Sequence, residues 1–178
     1  MRRIPQALAV TVVFSLLALL VWDLAHTSGG RVASVVDSGK TILAPTFTRS
    51  RIDTTGTLSL AALRGKVVVL NFWQSYCQPC QAEARTLAAA SRRWSGKDVV
   101  FVGVDELDLR NAALKFMKRF GINYATITDD GPLVGHYGVT GYPETFIVDK
   151  QGLVVPPHIV GPATPSGLDK AIKGALAT

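Results

Sequence analysis

Lys66-Val-Val-Val-Leu-Asn-Phe-Trp73 runs without a break into Gln74-Ser-Tyr-Cys77-Gln-Pro-Cys80. The first eight residues are β-branched and almost wholly apolar, the pattern of a central strand covered on both faces. Beyond Cys77 the period changes. Cys80, Ala84, Leu87, Ala88, Ser91 and Trp94 share one helical face, which predicts a helix to about Ser95. The cysteines therefore stand where a buried strand turns into a helix. There the unpaired backbone N–H groups and the positive end of the macrodipole favour thiolate over thiol. Three residues make almost one turn, so the second sulfur returns beside the first and the two can close a short-loop disulfide. Cys77 can then attack a substrate disulfide and Cys80 release it. Pro79 suits the first turn, where it has no hydrogen bond to lose. A purely structural bridge is the weaker reading, because so short a loop removes little unfolded-chain entropy. Half of a zinc or copper site would need His136 and His158 to converge on the sulfurs; both histidines, like His26, read as ordinary polar or half-buried residues.

Downstream, Asp98–Asp105 holds a second buried strand, and Leu109, Ala112, Ala113, Phe116 and Phe120 mark an amphipathic helix ending at Gly121. Tyr124–Thr128 reads as a short strand, Leu133–Tyr137 as a short helix or turn, and Thr145–Val148 as a strand. Asp149–Gly152 turns the chain into Leu153–Val155. Two prolines that cannot donate to a ladder, Pro156 and Pro157, make that last strand short or place it on an edge. Thr164-Pro165 starts a final helix. Upstream, Thr46–Ile52 and Thr57–Leu60 around Asp53-Thr-Thr-Gly56 predict a β-hairpin. The fold class is α/β, a mixed central sheet flanked by helices, with that hairpin as an N-terminal extension.

Ahead of the hairpin, residues 24–44 hold Ser28, Gly29, Gly30, Ser34, Ser38 and Gly39 and read as a linker or a loosely packed lead-in. Residues 1–23 differ. Arg2 and Arg3 precede an apolar run from Ile4 to Trp22, about 28 Å as a helix and close to a bilayer's hydrocarbon thickness. The arginines place the N-terminus in the cytoplasm and the rest outside, in a single-pass arrangement. The length suits a signal-anchor or transmembrane helix; the alternative is a signal peptide cleaved near Ser28-Gly29-Gly30, which would leave the protein secreted. No cysteine lies there to be acylated. The domains are thus the anchor over 1–23, the linker over 24–44 and the catalytic domain over 45–178.

Composition excludes other classes. At 48% hydrophobic and 18% charged, 178 residues are no disordered chain, and two cysteines are no disulfide-dense scaffold. The net charge of +6 falls to +4 without residues 1–35, which carry Arg2, Arg3, Arg31 and Asp23. No basic run and no glycine-rich phosphate loop appear, so nucleic acid is not an expected partner.

The chain from about Pro45 resembles the thioredoxin superfamily, in its membrane-anchored TlpA/ResA/CcmG (DsbE)-like branch. The resemblance rests on AxxxLRGKVVVLNFW, C-x-x-C with Glu83 three residues on, FVGVD, and YGVTGYPETFIVDKQG. It implies a thioredoxin-like fold with Pro143 as a cis-proline facing the cysteines, a site where an X–Pro cis bond is tolerable. It implies that the Tyr142 backbone receives an extended substrate segment. It also implies that Glu83 is the acid/base for Cys80, since Asn71 occupies the strand position of the usual aspartate; a solvated helix carboxylate is the alternative. Glu144 after the proline is expected to shape the substrate groove or to be a surface residue. Trp73, Tyr76, Gln78 and Pro79 are the remaining candidate substrate contacts. Tyr76 and Gln81 depart from the family's usual tryptophan and basic residue, which bears on substrate identity.

The implied activity is protein-disulfide exchange at a redox-active Cys77–Cys80 pair, with neither metal nor cofactor. The implied work is reducing the haem-attachment cysteines of apocytochrome c outside the cell membrane. Electrons would come from a membrane thiol carrier of CcdA or DsbD type, and the protein would act as a monomer. Donation of disulfides to exported proteins and a thioredoxin-fold copper-delivery scaffold are the alternatives. A peroxiredoxin-type peroxidase is disfavoured by Gln74, where a threonine is expected.

Overall fold

Seven consecutive residues, Val67–Trp73, are all buried, and everything else is arranged around them. The structure, a computed structural model, describes residues 3–26 and 31–178. In chain order the elements are α1 (Arg3–His26), α2 (Arg31–Asp37), β1 (Ile42–Leu43), β2 (Thr48–Ser50), β3 (Thr57–Ser59), β4 (Val67–Trp73), α3 (Gln78–Trp94), β5 (Val99–Glu106), α4 (Arg110–Phe120), β6 (Ala125–Asp129), α5 (Pro132–Tyr137), β7 (Glu144–Val148), β8 (Leu153–Val160) and α6 (Pro165–Leu176). A six-stranded mixed sheet has the order β1-β8-β7-β4-β5-β6. β4, β5 and β6 are parallel, and β4–β7, β7–β8 and β8–β1 are antiparallel.

Alternation along β4 sorts its side chains into two layers. Val68, Leu70 and Phe72 enter a core with α2, α5, Tyr137 and Phe146. Val67, Val69 and Trp73 face the other side, where Leu87 of α3, Phe116 of α4 and Leu168 of α6 close over them. Each such apolar side chain removed from water contributes about 1.5–3 kcal/mol. Asn71 is the only polar residue of the strand and faces α3, so its buried amide needs partners there. Gly103 of β5 has a steric reason: a Cβ would lie 2.9 Å from both Trp73 Nε1 and Thr126 Oγ1.

The expected linker over 24–44 is corrected from Arg31 onward. Val32, Ala33 and Val36 of α2 are buried against the main core, and β1 pairs with β8, Ile42 opposite Val154. Spacing at i, i+1 and i+4 gives a short helix one apolar face, which the neighbouring glycines and serines disguise. β2 and β3 pair antiparallel as a separate two-stranded sheet, Arg49 opposite Leu58. β8 is not short. It continues through Pro156 and Pro157, joined by a cis peptide bond, to Val160. The register shifts there, three residues of β8 standing opposite Phe146 alone, and β1 leaves that half of β8 free on its outer side.

Within α1, Val10, Phe14, Leu17, Leu20 and Trp22 keep half or more of their surface uncovered. Among the described residues no helix is long and apolar enough to cross a membrane. Arg2 and the Ser28–Gly30 cleavage site lie outside the described residues.

Candidate active site

α3 begins at Gln78 because Cys77, in extended conformation, caps it. Its Sγ receives the backbone N–H of Cys80 at 3.1 Å, and Pro79 occupies the first turn. The sulfurs are joined, with S–S 2.06 Å and Cα–Cα 5.2 Å. Their surroundings differ. Cys77 is half-buried, whereas Cys80 is 1% exposed and packs with Trp73, Ala84 and Phe116. An incoming disulfide can meet only the first sulfur, and the N–H donor with the helix dipole favours that sulfur as thiolate.

Glu83 follows Cys80 on the inner face of α3 and is 2% exposed, so the solvated reading is corrected. Its Oε1 accepts from Asn71 Nδ2 at 2.8 Å and its Oε2 from the Ala163 N–H at 2.7 Å. Asn71 also donates to Thr145 Oγ1 at 3.0 Å. Burial pushes the carboxyl up to about 7, against the two hydrogen bonds, which pull it down. A group so placed can hold or release a proton near neutrality.

Tyr142–Pro143 is a cis peptide, Pro143 is buried, and the Tyr142 carbonyl oxygen lies 3.5 Å from Cys77 Sγ. Burial, then the Glu106 carboxylate, push the Tyr142 phenol up. Glu144 is 1% exposed and is no surface residue. Its Oε1 accepts from Thr140 N–H at 3.0 Å, Thr140 Oγ1 at 3.1 Å and Gly141 N–H at 3.1 Å. Its Oε2 meets His158 Nε2 at 2.9 Å. His158 is half-buried, as expected, with its side chain only 3% exposed.

Trp73 is corrected as a substrate contact. At 2% exposure it stacks on Phe116, with centroids 4.5 Å apart, and belongs to the wall behind the sulfurs. Tyr76, Gln78 and Pro79 are exposed beside Cys77, where a partner can touch them. Sequence reasoning passed over a second tier of groups at the end of β5. Gln74 Nε2 donates to Glu106 Oε2 at 2.6 Å, and Ser75 gives its N–H and hydroxyl to Asp108 at 2.5 and 3.0 Å. Glu106 thus joins the segment before Cys77 to the one before Pro143. Asp105 is pushed up to about 9 by burial first and then by Asp108 and Glu106. The visible clue was DELD, three acids in four residues at the end of an apolar strand. Among the described residues no three His, Cys, Asp or Glu side chains gather as a metal site.

Residues 42–156 match the AhpC/TSA family. The chain is 32% identical over 117 residues to the thiol-disulfide oxidoreductase ResA of Bacillus anthracis, covering 65% of this chain and 67% of that protein. It is 30% identical to the thiol:disulfide interchange protein DsbE of Escherichia coli (strain K12) over an alignment of 180 residues, covering 97% and 94%. A crystal structure of a thiol:disulfide interchange protein of the thioredoxin family from Chlorobium tepidum TLS superposes with a TM-score of 0.70 at 29% identity, over 77% of this chain and 97% of that one. With a bonded Cys77–Cys80 pair at the helix cap and these relatives, the chain belongs to the AhpC/TSA family, as a thiol–disulfide oxidoreductase of the ResA and DsbE type.

Proposed function

We propose that this oxidoreductase works outside the cytoplasm, tethered by its N-terminal helix, and reduces the paired cysteines of haem-attachment motifs in apocytochrome c. The observation that carries dithiol exchange is the combination of an accessible Cys77, a sealed Cys80 and a carboxyl pushed up to about 7 behind them. The reductive direction rests on the resemblance to the ResA and DsbE branch. In the reduced protein the Cys77 thiolate attacks one sulfur of a client disulfide, the client's other sulfur leaving as thiolate. Glu83 takes the Cys80 proton, and the Cys80 thiolate attacks Cys77 Sγ. That closes the intramolecular bond and frees the second client thiolate. Two electrons pass from protein to client, both client thiolates gain protons, and the dithiol itself is the redox centre. Tyr142 offers its carbonyl to the client backbone beside Cys77, while Tyr76, Gln78 and Pro79 line the approach. A membrane thiol carrier of CcdA or DsbD type returns the electrons. Tethering rests on the apolar run of the sequence from Ile4 to Trp22 and on a DsbE likeness that extends over almost the whole chain.

The test is equilibration with glutathione, followed by assay on an oxidised C-x-x-C-H peptide. A strongly reducing potential with peptide reduction is expected, lost in Cys77→Ser, while Cys80→Ser traps the client as a mixed disulfide in membrane fractions. A potential near the strong oxidants would instead indicate disulfide donation and end the reductive reading.

A further inference from the structure

His158 stands between two carboxylates. Its Nδ1 lies 3.1 Å from Asp37 Oδ1 of α2 and its Nε2 2.9 Å from Glu144 Oε2 at the start of β7. The ring stacks on Phe146, centroids 4.1 Å apart and planes at 14°, which fixes its plane. A carboxylate accepts, so Glu144 Oε2 is satisfied when the ring donates from Nε2. Glu144 then divides its two oxygens. One is held by His158, and the other receives three donors from Thr140 and Gly141. Those are the residues immediately before Tyr142, whose carbonyl lies 3.5 Å from Cys77 Sγ. A chain of contacts therefore runs from an N-terminal helix through β8 and β7 to the backbone beside the sulfur.

A buried carboxylate oxygen left without a donor is costly, and the His158 ring is the side-chain partner that holds Oε2 of Glu144 while Oε1 is aimed at the loop. Without it Oε2 loses its partner, and a carboxylate free to turn loosens its hold on Thr140 and Gly141. We propose that His158 is a positioning residue for client docking, setting through Glu144 the place of the Tyr142 backbone against which an extended client segment lies. The inference rests on the reading of Tyr142 as the docking backbone.

The test uses the full chain in detergent, reduced, with single-turnover oxidation followed by tryptophan fluorescence. Two oxidants are compared: an oxidised C-x-x-C-H peptide, and 2-hydroxyethyl disulfide, which has no peptide backbone to align. His158→Leu is expected to raise the half-saturating peptide concentration about ten-fold, and to lower the peptide rate relative to the small disulfide by a similar factor. His158→Gln places an amide N–H where Nε2 stood and should recover most of the loss. His158→Asn, whose donor falls where Nδ1 stood and faces Asp37, should not. The Gln and Asn variants are close in size, so their comparison holds even where the leucine variant fails to fold. Equal behaviour of Gln and Asn, or an unchanged ratio of the two oxidants in His158→Leu, overturns the assignment. If the wild-type protein shows no saturation by peptide, the docking role of Tyr142 itself fails, and the two failures are thereby told apart.

Discussion

Asn71 of β4 directs its amide, 2.8 Å away, at Oε1 of Glu83 on α3, so a neutral strand residue holds the carboxyl that sits behind the redox pair. The consequences extend beyond catalysis.

Because the folded protein lifts Glu83 from 4.5 to about 7, the folded state binds the proton more tightly than the unfolded chain between those values. The contribution is fully present below pH 4.5 and is lost as pH rises through 7. Urea unfolding of the oxidised protein should therefore show stability falling by about 2–3 kcal/mol across that window relative to Glu83→Gln. Parallel pH profiles for the two proteins would refute it.

Asp105 is a second carboxyl kept protonated by burial, at about 9. Its raised value disfavours folding increasingly as pH climbs from 3.8 toward 9. Asp105→Asn, which preserves shape without the ionisation, should raise stability at pH 8 by about 1–3 kcal/mol and change little at pH 3.5. Thermal unfolding at the two pH values checks the sign.

Gly103→Ala drives a methyl to 2.9 Å from Trp73 Nε1 and Thr126 Oγ1. Overpacking of this kind costs about 1–3 kcal/mol. Since Trp73 packs beside Cys80, its fluorescence on reduction should change along with the unfolding midpoint. A native spectrum and midpoint would show that the pair can part without cost.

Val36 is 2% exposed in α2. Val36→Ala should cost about 1–3 kcal/mol in denaturant unfolding, where a residue of a free linker would change stability by less than about 0.5 kcal/mol.

Where pattern and burial coincide, sequence reading and structure agree. Val67–Trp73 is apolar without interruption because both its faces are covered, and α4 stops at Gly121 because a left-handed cap closes it. The redox pair was legible for the same reason: strand, turn and helix are all local. The misses are non-local. Nothing in VASVV shows that α2 joins a core reaching as far along the chain as Val154, since a seven-residue helix has too few turns to display its period. Gln74, Glu106, Asp108 and His158 matter through partners 14 to 121 positions distant, and polar side chains carry no periodicity that announces such pairings. Trp73 was misjudged because proximity in sequence to Cys77 says nothing about which side of a sheet a side chain takes.

The early start of the folded domain has a spatial corollary. Only four residues, 27–30, separate His26 at the end of α1 from Arg31 at the start of α2, so the five steps between those two residues can reach at most roughly 17 Å. With α1 embedded as proposed, the enzyme is on a short leash. On that proposal the reach of the folded domain from the helix end is set by those four residues, and a client would have to come within it.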